Sequence, residues 1–362
     1  MTIGVPKEIK IGETRVSMTP SLCRQCVALG AKVLVERSAG ITAGFSDAEY
    51  RLAGATLVGD AARVWRGAEM ILKVKEPLPA EYDAMREGQV LFTYLHLAAG
   101  PDLAQVLMKK RILAIAYETV EGADRSFPLL KPMSQIAGRL SIQIGAYFLQ
   151  SQHGGSGVLL GGVPGTMAGH VVVVGAGNSG AHAVQMAVGM GARVTVLDLD
   201  TRKLEALDSE YRGRVVTLLS NPANVAREVA AADLLIGAVL IPAAKAPTVV
   251  TKKMVAKMRP GSVIVDIAID QGGCIESIRP TSHKKPVYTE HGVIHYAVPN
   301  MPALVGRTST IALTQATDPF ITMLVRKGVT RALAESEGLA RGVNSQNGKI
   351  TYGAVAKALG LS

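Results

Sequence analysis

Two hydrophobic periodicities take turns along this chain. Short apolar runs of β character, TIGVP, AKVLVE, MILKVKE, QVLFTYLHL and RILAIAYE, are separated by PSLCRQCVALG, SDAEYRLAGA, DAARVWRGA and PDLAQVLMKK, where apolar residues recur at helical spacing. That alternation predicts a parallel sheet covered by helices. A helical stretch, SQIAGRLSIQIGAYFLQSQ, opened by Ser134, and a glycine-rich loop, GGSGVLLGGVPG, come next. A second alternating set follows: HVVVVGAG, ARVTVLDLD, GRVVTLL, ADLLIGAVL, GSVIVDIAID and GVIHYAVPN, enough strands for a six-stranded doubly wound domain. Beyond Gly306, RTSTIALTQATDPFITMLVRKGVTRALAE reads as helices with no further strand. Those helices need a surface to cover, and the first set of strands supplies it. The predicted fold is α/β, two doubly wound parallel-sheet domains, with residues 134–305 inserted into a discontinuous domain of residues 1–133 and 306–362.

A length of 362 residues suits two ordinary hydrophobic cores. With 48% hydrophobic and 19% charged residues, and no apolar run of about 18 residues, the composition is that of a soluble globular chain rather than a membrane-spanning one. The N-terminal MTIGVPKEIKIGETR carries charge where a signal peptide needs an apolar stretch, so a cytoplasmic location is expected. Three cysteines, Cys23, Cys26 and Cys274, suit a reducing compartment, and the Cys23–Cys26 spacing lacks the second pair a zinc site needs. The net charge of +10 is spread as pairs such as Lys109-Lys110 and Lys284-Lys285, and aromatics are only 4%. Without a basic arm or stacking residues, anionic small ligands explain the charge as well as nucleic acid does, and no nucleic-acid partner is expected.

Gly175, Gly177 and Gly180 follow a four-valine strand and open the helical run AHAVQMAVGMG. In this context the spacing reads as a dinucleotide-binding turn: the first glycine for the tight turn, the second for close approach of a pyrophosphate, the third for helix–strand packing. The helix N-terminus offers unpaired N–H groups to phosphate. Asp198 ends the next strand, where it can accept hydrogen bonds from both adenosine-ribose hydroxyls and would repel a 2′-phosphate. NAD is therefore preferred over NADP, although Arg202 and Lys203 stand nearby.

Ligands in open α/β sheets bind beyond the carboxyl ends of strands, which makes polar residues there the first suspects. ILKVKEP places Lys73 and Lys75 on one face of a strand expected to be buried, FTYLHLA places His96 at the next strand end, and AIAYETV places Glu118 at the one after. A buried lysine is unfavourable unless paired. Arg15, just after the first strand, brings a planar fork suited to a carboxylate, though a surface loop charge is an equal reading of it. In the inserted domain, IDQGG supplies Asp270, and AVPNMPA supplies Asn300 and Met301. Each residue has an ordinary structural role open to it. Together, a guanidinium, a lysine, a histidine and a carboxylate beside a hydride acceptor fit dehydrogenation of a small anionic substrate at a site between two domains.

The segments GVPKEIK, ETRVSMTP, ILKVKEP, FTYLHLA, AIAYETV, PLLKPMSQIAGRLS, GVLLGGVPG, VVVVGAGNSG, LIGAVLIPAAKAP, VDIAIDQGGCIE and PNMPALVGRTST closely resemble the bacterial L-alanine dehydrogenase family, which is related to the NAD-binding component of transhydrogenase. The resemblance runs nearly end to end. It implies NAD-dependent, reversible oxidative deamination of L-alanine to pyruvate and ammonium. It also implies Arg15 and Lys75 as holders of the substrate carboxylate, and His96 and Asp270 as the proton-transfer residues. Contacts to NAD are implied at Ser134, Asn178, Ser179, Asp198, Lys203 and Ser220, at Val239, Leu240, Ile267 and Asp270, and at Arg279, Val298, Asn300 and Met301. Gly12, Gln135, Pro299 and Gln315 depart from the family's usual residues and touch none of the four chemical positions. Some relatives hold magnesium between a glutamate matching Glu118 and a histidine; Lys327 stands in that second place, so no metal is predicted. A homo-hexamer is the family's usual assembly. Two other readings stay open: a relative acting on a different small amino acid or oxo acid, and a non-catalytic nucleotide carrier, which would have no need of Arg15, Lys75 and His96.

Overall fold

A computed structural model describes residues 1–239 and 246–361. The chain divides into two compact units, Met1–Met133 with Ala303–Ser362, and Ser134–Pro302. The first begins with β1 (Thr2–Val5), β2 (Lys32–Glu36), β3 (Thr56–Val58), β4 (Met70–Leu72), β5 (Val90–Thr93) and β6 (Leu113–Ala116). The second holds β7 (His170–Val174), β8 (Arg193–Asp198), β9 (Val215–Leu219), β10 (Leu234–Gly237), β11 (Val263–Asp266), β12 (Val287–Glu290) and β13 (Val293–Tyr296). The chain then returns to the first unit with β14 (Val343–Gln346) and β15 (Lys349–Ile350).

The two sheets share one plan. The first runs β15-β14-β6-β5-β4-β1-β2-β3 and the second β12-β13-β11-β10-β7-β8-β9. In each, six parallel strands are wound outward from the middle in both directions, with antiparallel pairing confined to one edge. The winding reverses between β1 and β4 in the first sheet and between β7 and β10 in the second. At such a switch point the two connections leave in opposite directions and open a crevice beyond the carboxyl ends of the strands.

Local sequence explains the elements. Val171, Val172 and Val173 are fully buried, as a central parallel strand requires. Helix Pro20–Ala28 starts with a Thr19 side chain accepting from Leu22 N–H and with proline in its first turn, and helix Asp47–Leu52 with a Ser46/Glu49 capping box. One core packs Val64, Trp65, Ile71 and Leu91 under the first sheet, and another packs Val172, Leu197, Leu235 and Ile264 under the second. Cys23, Cys26 and Cys274 are buried free thiols.

Four strands depart from the pattern read along the sequence. The segment beyond Gly306 is not purely helical, because β14 and β15 extend the first sheet. Strand β14 escapes a hydrophobic pattern because its buried residues are polar: Asn344 donates to Thr119 Oγ1 at 2.7 Å and to the Gly342 carbonyl at 3.0 Å. Strand β12 is a half-exposed antiparallel edge, and β3 has only three residues.

Candidate active site

The carboxyl ends of β1, β4, β5 and β6 carry a dense set of ionisable side chains. Strand β4 stops at Leu72, so Lys73 and Lys75 lie just beyond the strand rather than within it. Both are nevertheless buried. Lys73 meets the pairing requirement of a buried cation twice over, with its Nζ 3.2 Å from Glu8 and 2.9 Å from Glu81. Burial alone would lower its pKa, but the two carboxylates outweigh it and the net direction is upward.

Lys75 and His96 meet, with Lys75 Nζ 3.4 Å from His96 Nε2. His96 is exposed and adopts a left-handed backbone with φ of +48°, unusual for a residue with a Cβ. Glu118 holds that turn: its carboxylate accepts the backbone N–H of His96 at 2.6 Å and that of Leu95 at 3.0 Å. Tyr94, whose hydroxyl donates to the Leu129 carbonyl at 2.6 Å, stacks its ring near the His96 imidazole.

Arg15 is not a surface charge, since only 2% of its side chain is exposed. Glu13, two residues earlier, takes it bidentately, with Nε 2.6 Å from one carboxylate oxygen and Nη2 2.5 Å from the other. Nη1 lies 3.0 Å from Met133 Sδ. Desolvation works against the guanidinium charge, but the hydrogen bonds and charge of Glu13 prevail, and the pKa is raised. Fork-to-fork pairing fixes the plane of the guanidinium, and so the direction in which its other N–H groups point.

The second unit has a different kind of crevice. A cavity of about 250 Å³ opens at the β7/β10 switch point. Gly175 has φ of +103°, and an added Cβ would meet the Ala238 carbonyl. A Cβ on Gly180 would lie 1.7 Å from the Gly175 carbonyl oxygen, so helix Asn178–Gly189 sits directly on the turn. Gly177 behaves oppositely: nothing lies within 4 Å of its Cβ position, which faces open space before the helix N-terminus. Free volume against an N-terminal turn of backbone N–H groups is what a pyrophosphate needs. Asp198, ending β8, accepts the N–H of Ala176 at 2.6 Å and of Asp200 at 2.8 Å, and Lys203 Nζ stands 3.6 Å away. The same carboxylate therefore ties the glycine turn to the strand end while keeping lone pairs for a ribose. These features fit a dinucleotide.

Of the residues expected from the sequence to contact cofactor, Ser134, Gly175, Gly177, Asn178 and Ser179 line this cavity. So do Asp198, Lys203, Ser220 and Val239. Ser134 does not open its helix, which begins at Lys131; it occupies the first turn instead. Leu240 lies outside the described residues. Ile267 and Asp270 sit on the 3-10 turn Ile267–Gln271 after β11, where Asp270 is exposed and 3.5 Å from the Asn300 N–H. Val298 and Met301 are buried near the end of β13, and Asn300 has φ of +62°. These residues do not line the cavity, and neither does Arg279, whose guanidinium lies 4.1 Å above the Tyr288 ring. Among the described residues no cluster of metal-ligating side chains is present; Glu118 faces backbone N–H groups and Lys327 pairs with Glu335.

The partner carboxylates Glu8, Glu13 and Glu81 escaped the sequence reading. Glu8 and Lys73 are distant in the chain, but a lysine beyond a buried strand demands an acid, and the neighbouring strand end, KEIK, offers one. Glu13 and Arg15 are close in sequence, and the signal there was alternation in a loop, which by itself indicates nothing buried.

Comparison with known proteins agrees over the whole chain. The family profile described as "Alanine dehydrogenase/PNT, N-terminal domain" matches residues 4–137, and that described as "Alanine dehydrogenase/PNT, C-terminal domain" matches residues 141–353. A protein named alanine dehydrogenase from Methanococcus maripaludis is 55% identical over 99% of this chain and 96% of its own. A solved structure titled L-alanine dehydrogenase superposes with a TM-score of 0.97 at 52% identity, covering 100% of both chains. A transhydrogenase structure from Sinorhizobium meliloti gives a TM-score of 0.84 at 25% identity, covering 98% of this chain and 100% of that one.

Proposed function

The chain belongs to the alanine dehydrogenase/PNT family, and from that premise we propose that it catalyses the reversible oxidative deamination of L-alanine by NAD: L-alanine, NAD and water give pyruvate, ammonium and NADH. The observation that carries this reading is the meeting of Lys75 and His96, together with a buried, Glu13-oriented Arg15, in a chain related end to end to alanine dehydrogenases. A chain that only carried nucleotide would have no use for that rim. No helix among the described residues is long and apolar enough to cross a membrane. A cytoplasmic location and a homo-hexameric assembly complete the proposal.

Arg15 and Lys75 hold the substrate carboxylate. Because Glu13 fixes the guanidinium plane, the carboxylate meets donors already oriented, which lowers the entropy lost on reaching a reactive pose. NAD, which the glycine turn, Asn178, Ser179 and Asp198 would hold, would supply the acceptor for the hydride from Cα. That step requires the amine lone pair, so a proton must first leave the substrate ammonium, and His96 is the base. Its Nε2 lies 3.4 Å from the Lys75 ammonium, so the base stands next to a group that takes the substrate carboxylate. Water then adds to the resulting iminium, and His96 and Asp270 move the protons that release ammonium from the carbinolamine. In the reverse direction Lys75 polarises the oxo group of pyruvate. Asp198 and the glycine turn select NAD over NADP.

The test is NADH formation with L-alanine against glycine, L-serine and L-lysine, together with NADH consumption with pyruvate plus ammonium. Turnover in both directions with L-alanine preferred supports the proposal. NADH binding without turnover in either direction would establish a carrier, the reading that the transhydrogenase likeness favours.

A further inference from the structure

We propose that Glu8 is a positioning residue for Lys75, its carboxylate holding the backbone that presents the lysine at the point where the sheet no longer does. The proposal rests on the substrate-binding role given to Lys75 above.

The segment Lys73–Lys75 continues to pair with β5 after β4 has ended. Lys73 N–H donates to the Phe92 carbonyl at 3.2 Å, Tyr94 N–H donates to the Val74 carbonyl at 3.3 Å, and Thr93 Oγ1 donates to the Lys75 carbonyl at 2.9 Å. On its other side the segment has lost its strand neighbour. The β1–β4 pairing registers Ile3 with Met70 and Gly4 with Ile71, and β1 itself stops at Val5. There the Glu8 side chain takes over as acceptor: one oxygen receives the Val74 N–H at 2.6 Å and lies 3.4 Å from the Lys75 N–H. A side chain thus substitutes for a strand at the switch point, where a continuous ladder would close the crevice.

The other oxygen of Glu8 explains why the substitute is a carboxylate. It receives the Lys73 ammonium at 3.2 Å, and Lys73 is held in turn at 2.9 Å by Glu81, whose second oxygen accepts the Leu78 N–H at 2.9 Å. Glu8, Lys73 and Glu81 are 3%, 1% and 4% exposed, so the three charges are locked together out of water. A group that must accept a backbone N–H on one edge and an ammonium on the other needs two acceptors and no donor. Glutamine would keep one acceptor and turn an amide N–H toward Lys73. Fixed at both ends, Glu8 cannot rotate, and the Val74–Lys75 peptide cannot drift. Drift there would move the Lys75 ammonium relative to His96, and displacement of a positioned group by about 1 Å can lower turnover about 100-fold.

The experiment compares Glu8→Ala, Glu8→Gln and Lys75→Ala in the full-length protein, reading kcat and KM for L-alanine, NADH affinity by fluorescence, and melting. For folded Glu8→Ala, kcat/KM for L-alanine is expected to fall about 100-fold, through both a higher KM and a lower kcat, with NADH affinity unchanged. Glu8→Gln, which still accepts the Val74 N–H, is expected to recover about 10-fold of that loss. A merely structural role would lower NADH affinity in step with activity, or lower melting while leaving kcat/KM within about 3-fold, and either result overturns the proposal. If Glu8→Ala does not fold, Glu8→Gln decides alone: a loss of about 10-fold with intact NADH binding supports the proposal, and near-normal kcat/KM overturns it. Lys75→Ala separates the two levels. If it loses turnover while the Glu8 variants do not, only the role of Glu8 fails; if it keeps turnover, the role of Lys75 fails and this proposal with it.

Discussion

The crevices at the two switch points are built from opposite materials on one strand order. In the second unit the turn after β7 offers glycines, backbone N–H groups and empty space, and its one conspicuous carboxylate, Asp198, spends two of its contacts on backbone. In the first unit the turns after β1 and β4 offer almost the reverse: Glu13 pairs with Arg15 within the first turn, Glu8 of that turn pairs with Lys73 of the second, and all four side chains are buried. The ligands proposed for the two crevices account for the difference. A pyrophosphate is long, polyanionic and shared by many enzymes, so backbone dipoles at a helix N-terminus serve it well. A small amino acid must be held by its carboxylate while its amine and Cα stay available for chemistry, and only side chains placed singly can do that.

The largest expected effect lies on the side-chain crevice. His96→Ala should lower kcat by about 10²- to 10⁴-fold, the usual contribution of a general base, while NADH binding stays as it was. Steady-state rates with a fluorescence titration check this, and near-normal turnover would remove His96 from the mechanism.

Within the backbone crevice, two alanines should behave differently. Gly180→Ala forces its Cβ against the Gly175 carbonyl and should reduce both NADH affinity and stability, the latter by about 1–3 kcal/mol. Gly177→Ala has room for its methyl and ordinary backbone angles, so the melting temperature should hold and only NADH binding should suffer. Equal melting losses in the two variants would mean that the Gly177 space is not the cofactor's.

A smaller effect, about 10-fold, is expected at Asp198. Asp198→Ala should weaken NAD binding and relax the preference over NADP, since the acid that repels a 2′-phosphate is gone. An unchanged ratio of NAD to NADP kcat/KM contradicts that role.

The smallest effect concerns pH and again separates the units. His170 and His295 belong to the second unit, and burial lowers the pKa of each below the usual imidazole value. His295 is fully buried, with Nε2 2.8 Å from Ser277 Oγ and Nδ1 2.9 Å from the Val293 carbonyl. For a group with a depressed folded pKa, the unfolded chain binds the proton more readily; its contribution is present above the unfolded value of about 6.5 and is lost as pH falls toward the folded one. His295→Gln, which can donate and accept similarly, should therefore lose less stability than the parent between pH 7.5 and 5 (range chosen about 6.5). Urea midpoints across that range are expected to converge as pH falls, and a constant gap would contradict the assignment.

Most of this plan can be read from residues because burial on both faces forces continuous apolar strands, as in His170–Val174. Strands not built that way escaped: β14 buries Asn344 and Ser345, and no residue of the edge strand β12 is fully buried. At the rim the residue types were legible and their partners were not. Lys73 announces that some acid must meet it, but Glu81, on the short helix Pro79–Tyr82, reaches it only through the turn after Lys75. The left-handed backbone of His96 likewise leaves no mark in FTYLHLA, because Glu118, held a strand away, is what stabilises it.

The central claim is that the chain moves a hydride from Cα of L-alanine to the nicotinamide of NAD. Incubating the protein with L-alanine deuterated at Cα and NAD tests it directly. The expected result is deuterium on C4 of the reduced nicotinamide, one for each pyruvate formed; pyruvate without deuterated NADH, or NADH binding with no pyruvate at all, would contradict it.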